Sequence, residues 1–195
     1  MEEQPIMATT QRGGSAARLT RWELDPAHTT VEFAAKHMMI TTVRGRFSDV
    51  SGTIEADEAN PDGSSAEASM DAASIDTGNE QRDAHLRSAD FLDVENDPVI
   101  SFRSKRVRGA TGRTGDSFEV TGDLTIRGTT REVTLDVMYE GKIRDLEGKE
   151  RAGFSATTEI DRRDFGLVWN QALEAGGLLV GNEISITIEA EAVEA

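Results

Sequence analysis

His28, His37 and His85 are the only histidines in the chain, and cysteine is absent. Thiolate nucleophiles, disulfides and Cys-ligated metals are therefore excluded. Imidazole is a good zinc ligand, so a three-histidine site is chemically open. Yet no His-x-His or His-Glu-x-x-His spacing places two of them on one face. Each is expected to bond nearby backbone instead, and no metal or other cofactor is expected. A denser set lies in Ser74–Asp93, where Arg82, His85 and Arg87 share one short helical span. Such a trio can meet a phosphate through charge-assisted hydrogen bonds. Asp83, Asp90 and Asp93 compete for the same arginines, and ion pairs that fix the segment are the preferred reading. The mixed-sign run Asp161-Arg162-Arg163-Asp164, and Arg127 with Arg131, read as surface pairs at strand ends. Gly112 and Gly115 bracket a turn and cradle no phosphate ahead of a helix. No acid/base pair is recognisable, so no catalytic residue is assigned.

The elements that must position these groups are strands. Thr30–Lys36 puts Val31, Phe33 and Ala35 on one face. The same period of two places Ala68 with Met70, Ile100 with Phe102, and Phe118 through Ile126 on single faces. It returns in Val133–Tyr139, Phe154–Ile160 and Ile184–Ala190. His37–Ile40 breaks the period and is expected to form a helical turn. Val43–Asp57 reads as one long strand that bends at Gly45 or Gly52. About eight strands with short turns suit an antiparallel barrel or a sandwich, and long Gly-bent strands favour the barrel.

The exception is a helix over about residues 79–90, with Asp76, Thr77 or Asn79 available as its cap. A helix inserted once into a β chain plugs or flanks a barrel end, and the cavity entrance is expected beside it. Trp169–Gly177 is a candidate lid. Aromatic residues make up 5% of the chain, too few bulky groups to fill such a lumen well. Alternation selects Phe33, Phe47, Met70, Ile100, Phe102, Val120, Leu124, Val137 and Phe154 as lining, the bland alternative for each being ordinary core.

A length of 195 residues suits one domain, expected over 20–195 behind a disordered extension at 1–19. The net charge of −15 disfavours nucleic acid and anionic membrane surfaces. No apolar run of signal-peptide or membrane-spanning length occurs, so a soluble, cytoplasmic protein without stable membrane insertion is expected.

Six separated segments then carry a resemblance. They include Asp25-Pro26-Ala27-His28-Thr29, Val43-Arg44-Gly45-Arg46-Phe47 and Ser74-Ile75-Asp76-Thr77-Gly78-Asn79. Arg82-Asp83-Ala84-His85-Leu86-Arg87-Ser88, Gly122 through Gly128 and Arg163-Asp164-Phe165-Gly166 follow in order. The chain resembles the YceI-like family of lipocalin-fold bacterial proteins from Trp22 to about Ala192. The resemblance implies an all-β, extended eight-stranded antiparallel barrel with an apolar tunnel. It further implies a polyisoprenoid ligand, a polyprenyl phosphate or isoprenoid quinone. For its head group, Arg82, His85 and Arg87 on the helical span are then the candidates. It implies neither a catalytic triad nor an obligatory metal, and it makes a homodimer plausible. The alternatives are a carrier of a fatty acid or its amide, a lipid-modifying enzyme using His28 or His85, and a stress-associated module with a filled barrel.

Overall fold

Residues that alternate at period two form strands, and among the described residues every named strand joins one sheet. The computed structural model describes residues 19–174 and 176–195. Its strands are β1 (Leu19–Leu24), β2 (Thr30–His37), β3 (Thr41–Phe47), β4 (Val50–Asp57), β5 (Ser65–Asp71) and β6 (Ile75–Asp76). The helix α1 (Glu80–Arg87) precedes β7 (Val99–Arg108), β8 (Asp116–Ile126), β9 (Thr129–Arg144), β10 (Glu150–Asp161) and β11 (Val180–Glu194). The expected extension lies outside the described residues except for Leu19, which opens β1.

Six short strands act as three long ones. β1 and β2 pair with the two halves of β11, so they form a single strand interrupted at residues 25–29. β3 and β4 lie beside β2 and β1 respectively, with Ser48 and Asp49 between them. β5 passes through a 3-10 turn at Ala72–Ser74 into β6, which pairs with β3. The result is a closed antiparallel barrel of eight strands, with one α-helix among the described residues. Among the described residues no helix is long and apolar enough to cross a membrane.

Two local expectations are corrected. His37–Ile40 is a hairpin turn, with Ile40 N–H donating to the His37 carbonyl at 3.1 Å. Met38 and Met39 take φ of 50° and 60°, the two left-handed residues that match a turn to strand twist. Strand continuity from Val43 fails at Ser48–Asp49, not at either glycine. That interruption resets the pleat, so Phe47 and Val50 are both buried although their numbers differ in parity. Two bulges do the same. One lies between Ser104 and Arg106 of β7, and the other between Gly153 and Phe154 where β10 meets β9.

The helix is shorter than the expected 79–90. Asn79 caps it, its side-chain oxygen accepting from Arg82 N–H at 3.0 Å, and Ser88 ends it. The following turn inserts Phe91 and Leu92, which are 5% and 6% exposed. They join Ile75, Ile126, Phe165 and Leu167 in one buried cluster. This cluster closes the α1 end of the barrel.

Candidate functional site

The inner faces of the strands enclose a cavity of about 680 Å³, within the range of sites that take drug-sized or larger ligands. The lumen is not filled, contrary to what the filled-barrel alternative requires. All nine residues selected by alternation stand on its wall. Phe47, Ile100, Val120, Leu124 and Val137 are buried. Phe33, Met70, Phe102 and Phe154 point inward and are only partly buried, because the hollow leaves one side of each without neighbours. Ala35, Ala156, Ile184, Ile186 and Ile188 extend the same apolar surface.

Several polar, solvent-exposed residues of the wall lie together at one end. Glu58, Pro61 and Ser64 from the β4–β5 turn, Ala110–Gly112 from the β7–β8 loop, and Tyr139 and Lys142 from β9 frame an opening there. The entrance is therefore at the end opposite α1, which overturns the expectation that the helix marks it. The physical reason lies in Phe91 and Leu92: the turn after α1 supplies apolar side chains that seal the lumen. Trp169 belongs to this seal and does not act as a lid over the mouth. Its ring meets His85 at 4.6 Å and Phe91 at 5.3 Å between centroids.

Arg82, His85 and Arg87 consequently sit at the closed end, and none lines the cavity. Arg82 donates to the Thr77 hydroxyl at 2.7 Å and the Thr77 carbonyl at 3.0 Å. Arg87 donates to the carbonyls of Ala73 at 2.7 Å and Ile75 at 2.6 Å. Both arginines fix the segment, as preferred, but through backbone and hydroxyl oxygens, not the expected carboxylates. Asp83 is buried and accepts from Thr77 instead. His85 Nε2 lies 2.9 Å from Asp90 Oδ2.

The three histidines share no site. His37 ends β2, about 25 Å of extended strand away from His28, and His85 is on α1. His28 is 3.0 Å from Asp25 within the interruption of the first long strand. Arg151 ties that interruption to its neighbours, reaching Asp25 at 2.8 Å, Asp145 at 2.7 Å, and Glu191. The bonds from His28 and then Arg151 hold Asp25 down at about 2, while Asp25 raises His28. Among the described residues Asp25, His28 and Glu191 are the donors close enough to share a cation. The Arg151 guanidinium already bonds both carboxylates.

Two residues on the wall escaped the reading of the sequence. Arg162, expected on the surface, is 4% exposed. It donates to the carbonyls of Gly181 at 2.9 Å and Trp169 at 2.9 Å, to those of Leu167 and Val180, and to the Asn182 side chain at 3.3 Å. These acceptors use up its five N–H groups, and burial lowers its pKa. Arg163 alone makes the expected surface pair, with Asp161. Lys142 is the second residue, and Glu140-Gly141 was the available signal, since glycine inside a strand marks bulges. The β9 bulge turns Lys142 to the inner face opposite Ala152, where it meets Glu58 at 3.0 Å and lies 5.8 Å from the Trp22 ring centre.

Residues 22–192 match the YceI-like domain model. The chain belongs to the YceI-like family. A UPF0312 protein of Staphylococcus epidermidis is 34% identical over 89% of this chain and 97% of its own length. One from Staphylococcus aureus is 35% identical with the same coverage. The fold is shared with Burkholderia cenocepacia BcnA, at TM-score 0.73 and 24% identity over 86% of this chain and 98% of that one. The YceI protein of Campylobacter jejuni gives TM-score 0.67 at 28% identity, covering 100% of this chain and 99% of that one. A polyisoprenoid binding domain from Saccharophagus degradans gives 0.65 at 16% identity, over 91% and 100%.

Proposed function

We propose that this YceI-like protein binds a long isoprenoid lipid, a polyprenyl phosphate or an isoprenoid quinone, and carries or sequesters it without chemistry. One observation carries the reading: an unfilled apolar bore of about 680 Å³ runs inside the barrel from an open end to a sealed one. Burial of a hydrocarbon tail there gains roughly 25 cal/mol per Å² removed from water. The ordering of a flexible chain offsets part of that gain. Smooth walls of Val, Ile, Phe and Ala suit a branched tail that offers no polar handles. The Saccharophagus degradans neighbour is named for polyisoprenoid binding, and its shared fold is compatible with the same use here.

The enzymatic alternative loses its residues. His28 is largely exposed, His85 is bonded to Asp90, and neither lines the bore. Native mass spectrometry of freshly purified protein, followed by organic extraction, tests the proposal. A co-purifying isoprenoid of fixed mass is expected. Recovery of a fatty acid or amide instead would shift the ligand class. An empty barrel that also refuses added polyprenyl phosphate and quinone would overturn the reading.

A further inference from the structure

We infer that Lys142 is an anion-binding site at the tunnel mouth, where it exchanges the Glu58 carboxylate for the anionic head group of the bound lipid. The inference rests on the lipid-binding reading and narrows it to ligands with a negatively charged head.

The position of the pair is the first ground. At this end the strand order around the barrel is β1, β4, β5, β7, β8, β9, β10, β11 and back to β1. β4 and β9 are therefore four strands apart in either direction. At about 4.8 Å per strand, the path along the wall is roughly 19 Å. Lys142 Nζ nevertheless reaches Glu58 Oε1 at 3.0 Å. The two side chains must cross the opening to meet, and the contact bars the entrance.

The bulge is the second ground. Tyr139 faces inward, so simple alternation would turn Lys142 outward toward solvent. The register shift of β9 against β10 pairs Lys142 with Ala152 and Tyr139 with Phe154, all on the inner face. Bulges commonly re-aim a side chain in this way. A lysine aimed into an apolar bore, with its ammonium near the Trp22 ring, is a poor choice for packing alone.

Elimination is the third. Lys142 and Arg162 are the cations on the described tunnel wall, and Arg162 has no donor left. Glu58 and Lys142 are 61% and 40% exposed, so their bond is worth little against solvent and yields to a competing anion. A tail that enters this end first comes to rest against Phe91 and Phe165, leaving its head beside Lys142. The Asp57 carboxylate does not compete, since it accepts from the N–H groups of Ala59 and Asn60.

The test compares three twenty-carbon isoprenoids that differ only in the head: geranylgeranyl phosphate, geranylgeranoic acid and neutral geranylgeraniol. Affinities are read by displacement of an apolar fluorescent dye from wild type and from Lys142→Gln, Lys142→Arg and Glu58→Gln. Lys142→Gln is expected to weaken the anionic ligands about tenfold, as loss of a charge-assisted hydrogen bond requires, and to leave the alcohol unchanged. Lys142→Arg should restore binding, and Glu58→Gln should tighten the anions by removing their competitor. Loss of the phosphate alone would support the site and assign it to phosphate; loss of both anions would support recognition by charge. Equal effects on alcohol and anions, or no effect, would overturn the inference while the tunnel reading stands. Failure of wild type to bind even the alcohol would overturn both.

Discussion

The Phe33 ring occupies the space that a side chain on Gly45, its cross-strand partner, would need. A β-carbon there would collide with the ring and with the Thr77 methyl. Gly122 repeats the arrangement under the Phe102 ring. Each glycine lets an aromatic lie back against the wall, and the bore keeps its width.

A Gly45→Val substitution should therefore push Phe33 into the lumen. The expected result is a loss of roughly 1–3 kcal/mol in urea unfolding from overpacking, with at least tenfold weaker binding of long-tailed ligands. Phe33→Ala combined with Gly45→Val should be less destabilised than the sum of the single changes, because the two side chains contest one space. Additive losses would show that the ring does not lie over the glycine.

Arg162 supports the β10–β11 connection from beneath. Replacing it with Met would strand several buried carbonyls and should cost about 3 kcal/mol or more. Lysine should fail nearly as badly, since three donors in no fixed plane cannot serve five acceptors. Chemical denaturation of both variants checks this, together with proteolysis of the loop that Arg162 holds. A Lys variant with full stability would sink the argument.

The barrel was legible where the alternation was unbroken. Phe118 through Ile126 and Val133 through Tyr139 fall on the inner face as their period demands. Legibility stopped wherever the pleat slips. The Ser48–Asp49 break and the bulges at β7 and β9 each reverse inside and outside. Alternation alone carries no warning of that reversal, and in β9 only Gly141 signals it, which is how Lys142 was missed. Arg162 was missed for another reason. Its charged neighbours Asp161, Arg163 and Asp164 made the run look like surface, and only the loop carbonyls folded over it make burial of the guanidinium tolerable.

The Asp25 network gives stability a pH profile with two edges. Asp25 is held at about 2 by His28 and then Arg151, below the ordinary carboxylate value near 3.9. Its contribution is complete above about 4 and is lost as pH falls toward 2. His28 is raised by Asp25, so its contribution is complete below about 6.5 and is lost as pH rises through the raised value. Arg151 stays charged throughout, and Asp145 and Glu191 are the other groups that face it. Thermal melts should therefore peak between about pH 4 and 6.5. His28→Gln should remove the alkaline edge and weaken the acid one, which Arg151 still sustains, while Asp25→Asn should reduce both. Identical profiles for wild type and His28→Gln would refute the assignment.

Phe91 decides whether the bore has one end or two. Its ring is 5% exposed and packs against Trp169 and His85 in the seal beyond α1. Truncation to Ala should cost about 3–5 kcal/mol, the usual range for a buried aromatic. Because the void would form at the closed end, the cavity should break through to solvent there. Ligand would then leave by two routes, and its dissociation should quicken by more than the affinity loss of a wall substitution such as Ile188→Ala. Stopped-flow displacement of a bound apolar dye separates the two cases. Equal dissociation rates for the two variants, each shown to remain folded, would mean that the end beside α1 is not the seal.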